Sequence, residues 1–90
     1  MRESVLEALE ELTAWYRDLV AMAVGAERAV IHFDHLDALR EDGVPERLAA
    51  AERAAETVRE SWRWFEELNL QPKLALEALF IRLRGVMAPA

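Results

Sequence analysis

Apolar residues recur at spacings of three and four along most of the chain, which is the spacing of one face of an α-helix. Four such patterns are visible, and they cover Glu3–Val24, a short segment after Asp34, Pro45–Leu68, and Pro72 to about Gly85. No segment alternates apolar and polar residues as a half-buried strand does. The pattern predicts an all-α fold, a small antiparallel bundle of three long helices and one short helix.

The residues of the predicted core lie on two apolar rows. On the first helix the row is Val5, Leu9, Leu12, Tyr16, Leu19 and Ala23, and on the third it is Leu48, Ala51, Ala55, Val58, Trp62 and Phe65. Trp62 belongs to its row and Trp15 to a second row on the first helix, so both are expected to pack in the core. Trp64 is off the row, and an exposed tryptophan often anchors an interface.

Residues with special backbone preferences mark the helix ends. Gly25 suits the stop of the first helix, and Asn69 suits a left-handed cap after the third. Asp34 is predicted to cap the short helix with its carboxylate, and Pro45 to open the third helix. The segment between the first two helices is expected to be extended near Val30 and Ile31, and residues 87–90 to fray.

The last helix has more apolar surface than one buried face requires. Between Leu74 and Leu83, Glu77 and Arg82 are the sole charged residues. One row contains Leu76, Leu79, Phe80 and Leu83, and the adjoining side contains Leu74, Ala75, Ala78 and Ile81. A surface helix of a monomer normally buries one stripe and exposes polar residues elsewhere. The helix is therefore either central to the bundle or partly reserved for another protein.

Composition narrows the class of protein. Ninety residues make one small domain, and the absence of cysteine excludes disulfides and thiolate chemistry. No apolar run is long enough for a membrane span and no secretory signal is visible, so a cytoplasmic protein is expected. The net charge of −6 divides into −6 for residues 1–44, −2 for 45–68 and +2 for 69–90. An acidic domain is poorly suited to bind nucleic acid directly.

Candidate chemistry is sparse. His32-Phe-Asp-His35 has a metal-ligand spacing, but no cysteine or third histidine completes a site, and we expect Asp34 to cap a helix with both histidines partly exposed. The paired carboxylates are interpreted as solvated faces with arginine partners, such as Arg59 with Glu56. No phosphate-binding loop is present. We expect no catalytic residue, no metal and no cofactor, and no membrane or small-molecule partner.

Several segments together resemble a known family. These segments are Trp15-Tyr-Arg-Asp-Leu-Val20, Gly25-Ala-Glu27, the Val30-Ile-His-Phe-Asp34 connector and the closing Asn69-Leu-Gln-Pro-Lys-Leu-Ala-Leu-Glu-Ala-Leu79. The chain resembles the C-terminal domain of bacterial DNA polymerase III clamp-loader subunits, delta-prime most closely and gamma/tau next. His32, Val44 and Gln71 depart from the family pattern, and each is a weaker helix cap than the family's residue.

The resemblance implies a function for the whole domain. Residues 1–90 would be a single collar or oligomerisation domain of a larger subunit, with the ATPase module absent from this chain. Such a domain is not an enzyme; it joins subunits into the collar that holds the ATPase modules while a sliding clamp is loaded during DNA replication. Its partners would be the other clamp-loader subunits.

The predicted subunit interface contains one aromatic pair, two arginines and one methionine: Met22, Trp64, Phe80, Arg82 and Arg84. Apolar bulk combined with arginine is the composition favoured at interfaces. Two alternatives belong to other classes. A stand-alone helical DNA-binding regulator would need a basic recognition helix, and a ligand-binding bundle would use its tryptophan-rich end as a pocket.

Overall fold

A computed structural model describes residues 1–88 of the chain. The helices are α1 (Arg2–Ala23), α2 (Leu36–Asp42), α3 (Leu48–Glu67) and α4 (Pro72–Met87), and short 3-10 turns lie at Glu27–Ala29, Phe33–His35 and Pro45–Arg47. No β-strand occurs within residues 1–88. The predicted all-α bundle of three long helices and one short helix is confirmed.

α3 lies between the other two long helices. It packs along both α1 and α4, whereas α1 and α4 touch each other only lightly. The Arg2 guanidinium lies 4.7 Å from the centre of the Phe65 ring, so the start of α1 meets the end of α3. Arg82 of α4 bonds to Ser61 of α3, and Arg47, just before α3, bonds to the carbonyl of Met87 at the end of α4. Both neighbours of α3 therefore run antiparallel to it.

The core consists of two clusters of buried side chains along this layer. The larger contains Val5, Leu9, Ala54, Val58, Phe65, Leu79 and Leu83. The smaller contains Leu19, Leu39 and Ala51, with Trp15 and Tyr16 packed against it. Trp62 packs against the larger cluster, as predicted. On α3 the buried face is turned toward Ala54 and Thr57, and Leu48, Ala55 and Trp62 lie at its half-buried margin.

Two predicted helix stops adopt the expected backbone. Gly25 has a φ of 80° and Asn69 a φ of 49°, the left-handed conformation that glycine and asparagine tolerate best. Gln71 then caps α4, because its Oε1 accepts the N–H of Leu74 at 2.9 Å. This departure from the family pattern therefore keeps a capping oxygen. Val30, with φ −70° and ψ 132°, is extended as predicted.

The predicted cap at Asp34 is wrong. Asp34 lies inside the 3-10 turn Phe33–His35, and His35 precedes α2 without any side-chain cap. The Asp34 carboxylate is turned to solvent, 3.6 Å from His35 Nε2. The 3-10 turn places the carboxylate one residue too early to reach the amides of the first α-helical turn, so α2 begins uncapped.

The predicted end of α4 near Gly85 is also wrong, because the helix continues to Met87. Val86 and Met87 pack against the core, and the guanidinium of Arg47 donates to the Met87 carbonyl. These tertiary contacts outweigh the low helix propensity of Gly85. Of the predicted frayed tail, Met87 is helical, Ala88 is the C-cap, and residues 89–90 lie outside the described part of the chain.

Alanine substitutions at Gly43 and at Gly85 should have opposite effects on the stability of the fold. A Cβ at Gly43 would lie 2.5 Å from the Met22 Cβ and 2.6 Å from the Leu39 carbonyl, whereas a Cβ at Gly85 would meet nothing within 4 Å. We expect Gly43→Ala to lower the free energy of unfolding by about 1–3 kcal/mol. Gly85→Ala should raise it by roughly 0.5–1 kcal/mol, because alanine restricts the unfolded chain and favours helix. Urea denaturation measures both, and equal effects would contradict the packing described for Gly43.

Candidate interaction surface

The outward side of α4 has a continuous apolar stripe. Leu74 and Ile81 have 63% and 68% of their surface exposed, and the small residues Ala78 and Gly85 are exposed between and beyond them. The intervals of four, three and four residues keep these positions on one side of a helix with about 3.6 residues per turn. We call Leu74, Ala78, Ile81 and Gly85 the outer stripe.

The inward side of the same helix explains why the outer stripe is left uncovered. Leu79 and Leu83 are buried against α3, and Ala75 and Leu76 are packed beside them. Phe80, which shares its row in the sequence with Leu79 and Leu83 and is also a predicted interface residue, is exposed. α4 is therefore a peripheral helix with one covered face, and not the centre of the bundle.

Trp64 and Arg82 meet at one margin of the outer stripe. The Arg82 guanidinium lies 4.8 Å from the centre of the Trp64 ring, within cation–π range. Arg82 Nη1 donates to Ser61 Oγ at 2.9 Å, and Nη2 donates to the Glu60 carboxylate. Because three α3 side chains hold the guanidinium, the Trp64 ring is kept in place at the surface. A shallow depression beside them is lined by Ser61, Trp64, Leu70, Ala75, Ala78, Leu79 and Arg82.

The structure distributes the predicted interface residues over three places. Trp64 and Arg82 are in contact. Phe80 and Arg84 are exposed and one helical turn apart, on the flank of α4 opposite Arg82. Met22 is half-buried on α1, where it packs against the cluster of Leu19, Leu39 and Ala51. α4 and its α3 neighbour thus bring four of the five residues to the borders of the outer stripe, and Met22 is elsewhere.

A buried carboxylate that the sequence did not reveal organises the connector. Asp18 is fully buried on α1, and its two oxygens accept the backbone N–H of Ile31 at 2.9 Å and that of His32 at 2.8 Å. His32 Nδ1 lies 2.6 Å from the same carboxylate, and His32 Nε2 bonds to Glu11. We call Glu11, Asp18 and His32 the clamp. The His32 side chain is 15% exposed and that of His35 59% exposed, so both histidines are partly exposed as predicted, His32 much less than His35.

The clamp shifts the pKa values of two of its residues, Asp18 and His32. Burial alone would raise the pKa of Asp18, but the two backbone N–H groups and the His32 ring together lower that pKa below the ordinary 3.8. Hydrogen bonds with Asp18 and Glu11 raise the pKa of His32 above the ordinary 6.5, against a smaller opposing effect of burial. A protonated imidazole donates from both nitrogens, as two carboxylate partners require. The clamp therefore favours a charged His32.

The chemistry available at the clamp is structural. Both ring nitrogens of His32 are engaged by carboxylates, so neither faces a substrate as a free base. Trp15 packs against both imidazole rings, with ring centres 5.7 Å from His32 and 6.2 Å from His35. Within residues 1–88 no group of three or more histidine, aspartate or glutamate side chains is arranged to hold a metal ion. The arrangement fixes the connector onto α1.

Two further findings bear on the class of protein. Among the helices of residues 1–88, none has the length and apolarity to cross a bilayer. Comparisons with protein-family models, with curated proteins and with solved structures give no match for this chain.

The clamp should make stability depend on pH in a defined direction. Because the pKa of His32 is raised in the folded chain, its stabilisation is complete below about 6.5 and is lost as the pH rises through the folded-state value. Because the pKa of Asp18 is lowered, its contribution is present above about 3.8 and is lost as the pH falls through the folded-state value. We expect the clamp to stabilise most between these limits.

Urea denaturation of the wild type and of His32→Gln, within this pH range and well above its upper limit, measures the effect. At pH 6 the variant should be less stable by about 1–3 kcal/mol, since a charge-assisted bond to a buried carboxylate is lost. The difference should shrink above pH 7. His35→Gln, at an exposed histidine outside the clamp, is the matched control. A gap between wild type and His32→Gln that stays constant with pH would contradict a charged His32.

Proposed function

We propose that this chain is a non-catalytic protein–protein interaction domain that docks through α4 onto another protein subunit. The observation that carries the proposal is the outer stripe, an apolar face on a helix whose opposite face is already buried. Soluble monomers rarely expose contiguous apolar patches unless they bind something. The bordering Trp64, Phe80, Arg82 and Arg84 supply the aromatic and arginine side chains that interfaces favour.

The shape of the outer stripe suits a helical partner. Ala78 and Gly85 are small and alternate with the larger Leu74 and Ile81, so a second helix can approach closely between bulky side chains. Packed helices lie about 8–10 Å apart, and small residues permit the shorter distances. Fully burying one leucine or isoleucine side chain contributes roughly 1.5–3 kcal/mol. Two such side chains, each about two-thirds exposed, can therefore contribute substantially to binding.

We further propose that the parent protein is a bacterial DNA polymerase III clamp-loader subunit, delta-prime most closely and gamma/tau next. The support is the sequence resemblance together with the positions of its segments. Trp15–Val20 lies in the second half of α1, Asn69 forms the left-handed turn before α4, and Gln71 with Pro72 opens α4. The domain would then act in the cytoplasm during DNA replication, assembling the subunit collar.

Co-assembly experiments test both the docking through α4 and the assignment to a clamp-loader subunit. We expect the chain to sediment with clamp-loader subunits encoded by the same genome, gamma/tau and delta being mixed with it in turn. Leu74→Glu combined with Ile81→Glu should weaken that association by at least about tenfold, because two charges would be desolvated in an apolar contact. Val24→Glu, at another exposed apolar position, is the matched control and should change affinity less than about twofold.

The outcomes test the docking surface and the assignment to the clamp-loader family separately. Association that persists unchanged in the doubly substituted chain would reject the outer stripe as the docking face. Failure of the wild-type chain to associate with any clamp-loader subunit would reject the assignment to that assembly. Circular dichroism of each variant checks that the helical content is retained, so that lost binding is not lost folding.

A further inference from the structure

A second exposed apolar region lies on the connector and the start of α2. Phe33 has 74% of its surface exposed, and about half of the surface of Ile31 is exposed. One shallow depression is lined by Phe33, Asp34, His35, Leu36, Asp37, Ala38 and Arg40. We call Ile31, Phe33, Asp34 and Asp37 the connector surface.

The carboxylates of the connector surface have weak internal partners. Asp37 is fully exposed, and its nearest cation is Arg40 at 3.7 Å. Arg40 is engaged more closely by Glu27, at 2.6 Å. Asp34 faces His35 at 3.6 Å, and that pair attracts only when His35 is protonated. One arginine, Arg40, thus stands against three carboxylates, those of Glu27, Asp34 and Asp37, and a net negative charge remains beside the exposed phenyl ring.

The backbone that presents this surface is held in advance of any binding. The buried Asp18 carboxylate accepts the N–H groups of Ile31 and His32, immediately before Phe33. A segment that is already ordered loses less conformational entropy when a partner binds.

We propose that the connector surface binds a protein segment in which an arginine or lysine lies beside an apolar side chain. The cation is placed over the Phe33 ring and between the Asp34 and Asp37 carboxylates, where ring and charges attract it together. The neighbouring apolar side chain covers Ile31. The occupant differs in charge from a partner of α4, because residues 69–90 have a net charge of +2 and residues 1–44 one of −6.

Isotope-edited NMR with a defined probe tests the proposal. The probe is a synthetic helical peptide of leucine and arginine, and its twin has glutamate in place of every arginine. Titration into the full chain should shift the amide signals of Ile31, Phe33, Asp34 and Asp37, and the twin should leave them unchanged. Phe33→Ala and the pair Asp34→Asn with Asp37→Asn should each weaken binding at least about fivefold.

Matched controls distinguish binding at the connector surface from nonspecific attraction of the basic peptide to the acidic chain. Glu3→Gln with Glu7→Gln removes the same charge from the exposed face of α1, and Phe80→Ala removes an exposed ring from α4. Both controls should bind the arginine peptide within about twofold of the wild type. Equal weakening by the glutamate controls, or shifts spread over α1 or centred on α4, would overturn the proposal. It does not depend on the function proposed for α4 and can fail or hold separately.

Discussion

The packing of α3 between α1 and α4 is the constraint from which the rest of the structure follows. One helix in the middle can bury two faces of its own, but it leaves each neighbour with a single covered face. Residues 1–88 contain no further long helix that covers α4 from outside. Leu79 and Leu83 are therefore buried, whereas Leu74 and Ile81 of the same helix face solvent.

Periodicity predicted the elements because each long helix except α4 has a clear polar side. On α1 the predicted row faces the core, with Val5, Leu9 and Leu19 buried and Leu12 and Tyr16 half-buried. Gly25 and Asn69 adopt the predicted backbone. On α4 leucine occurs on both sides, and a helix that is apolar all round carries no information about which side is covered. Phe80 therefore shares a row with Leu79 and Leu83 in the sequence, although those two are buried and Phe80 is exposed.

The clamp could not be predicted for a different physical reason. Asp18 is an ordinary helical aspartate in the sequence, next to the buried Leu19, and its partners lie thirteen and fourteen residues later on a connector without regular structure. Helical spacing does place Glu11 and Asp18 two turns apart on one side of α1, with Trp15 between them. That row was a usable signal, but nothing local distinguished it from a solvated acidic face. The contact of Arg47 with Met87, which are forty residues apart in the sequence, could not be predicted either.

The clamp also decides how the two exposed apolar regions relate to each other. Without it, the connector would be a tether between α1 and α2, free to move independently of the core. With Asp18 holding Ile31 and His32, the connector surface becomes part of the same rigid unit as α1, and through α3 it is fixed relative to α4. If both surfaces bind as proposed, their separation and orientation are fixed on one rigid body, and a partner that engages both must match that geometry. The segments that contain the two regions differ in net charge, −6 for residues 1–44 and +2 for residues 69–90, and such a difference would add an electrostatic preference for orientation to the apolar contacts.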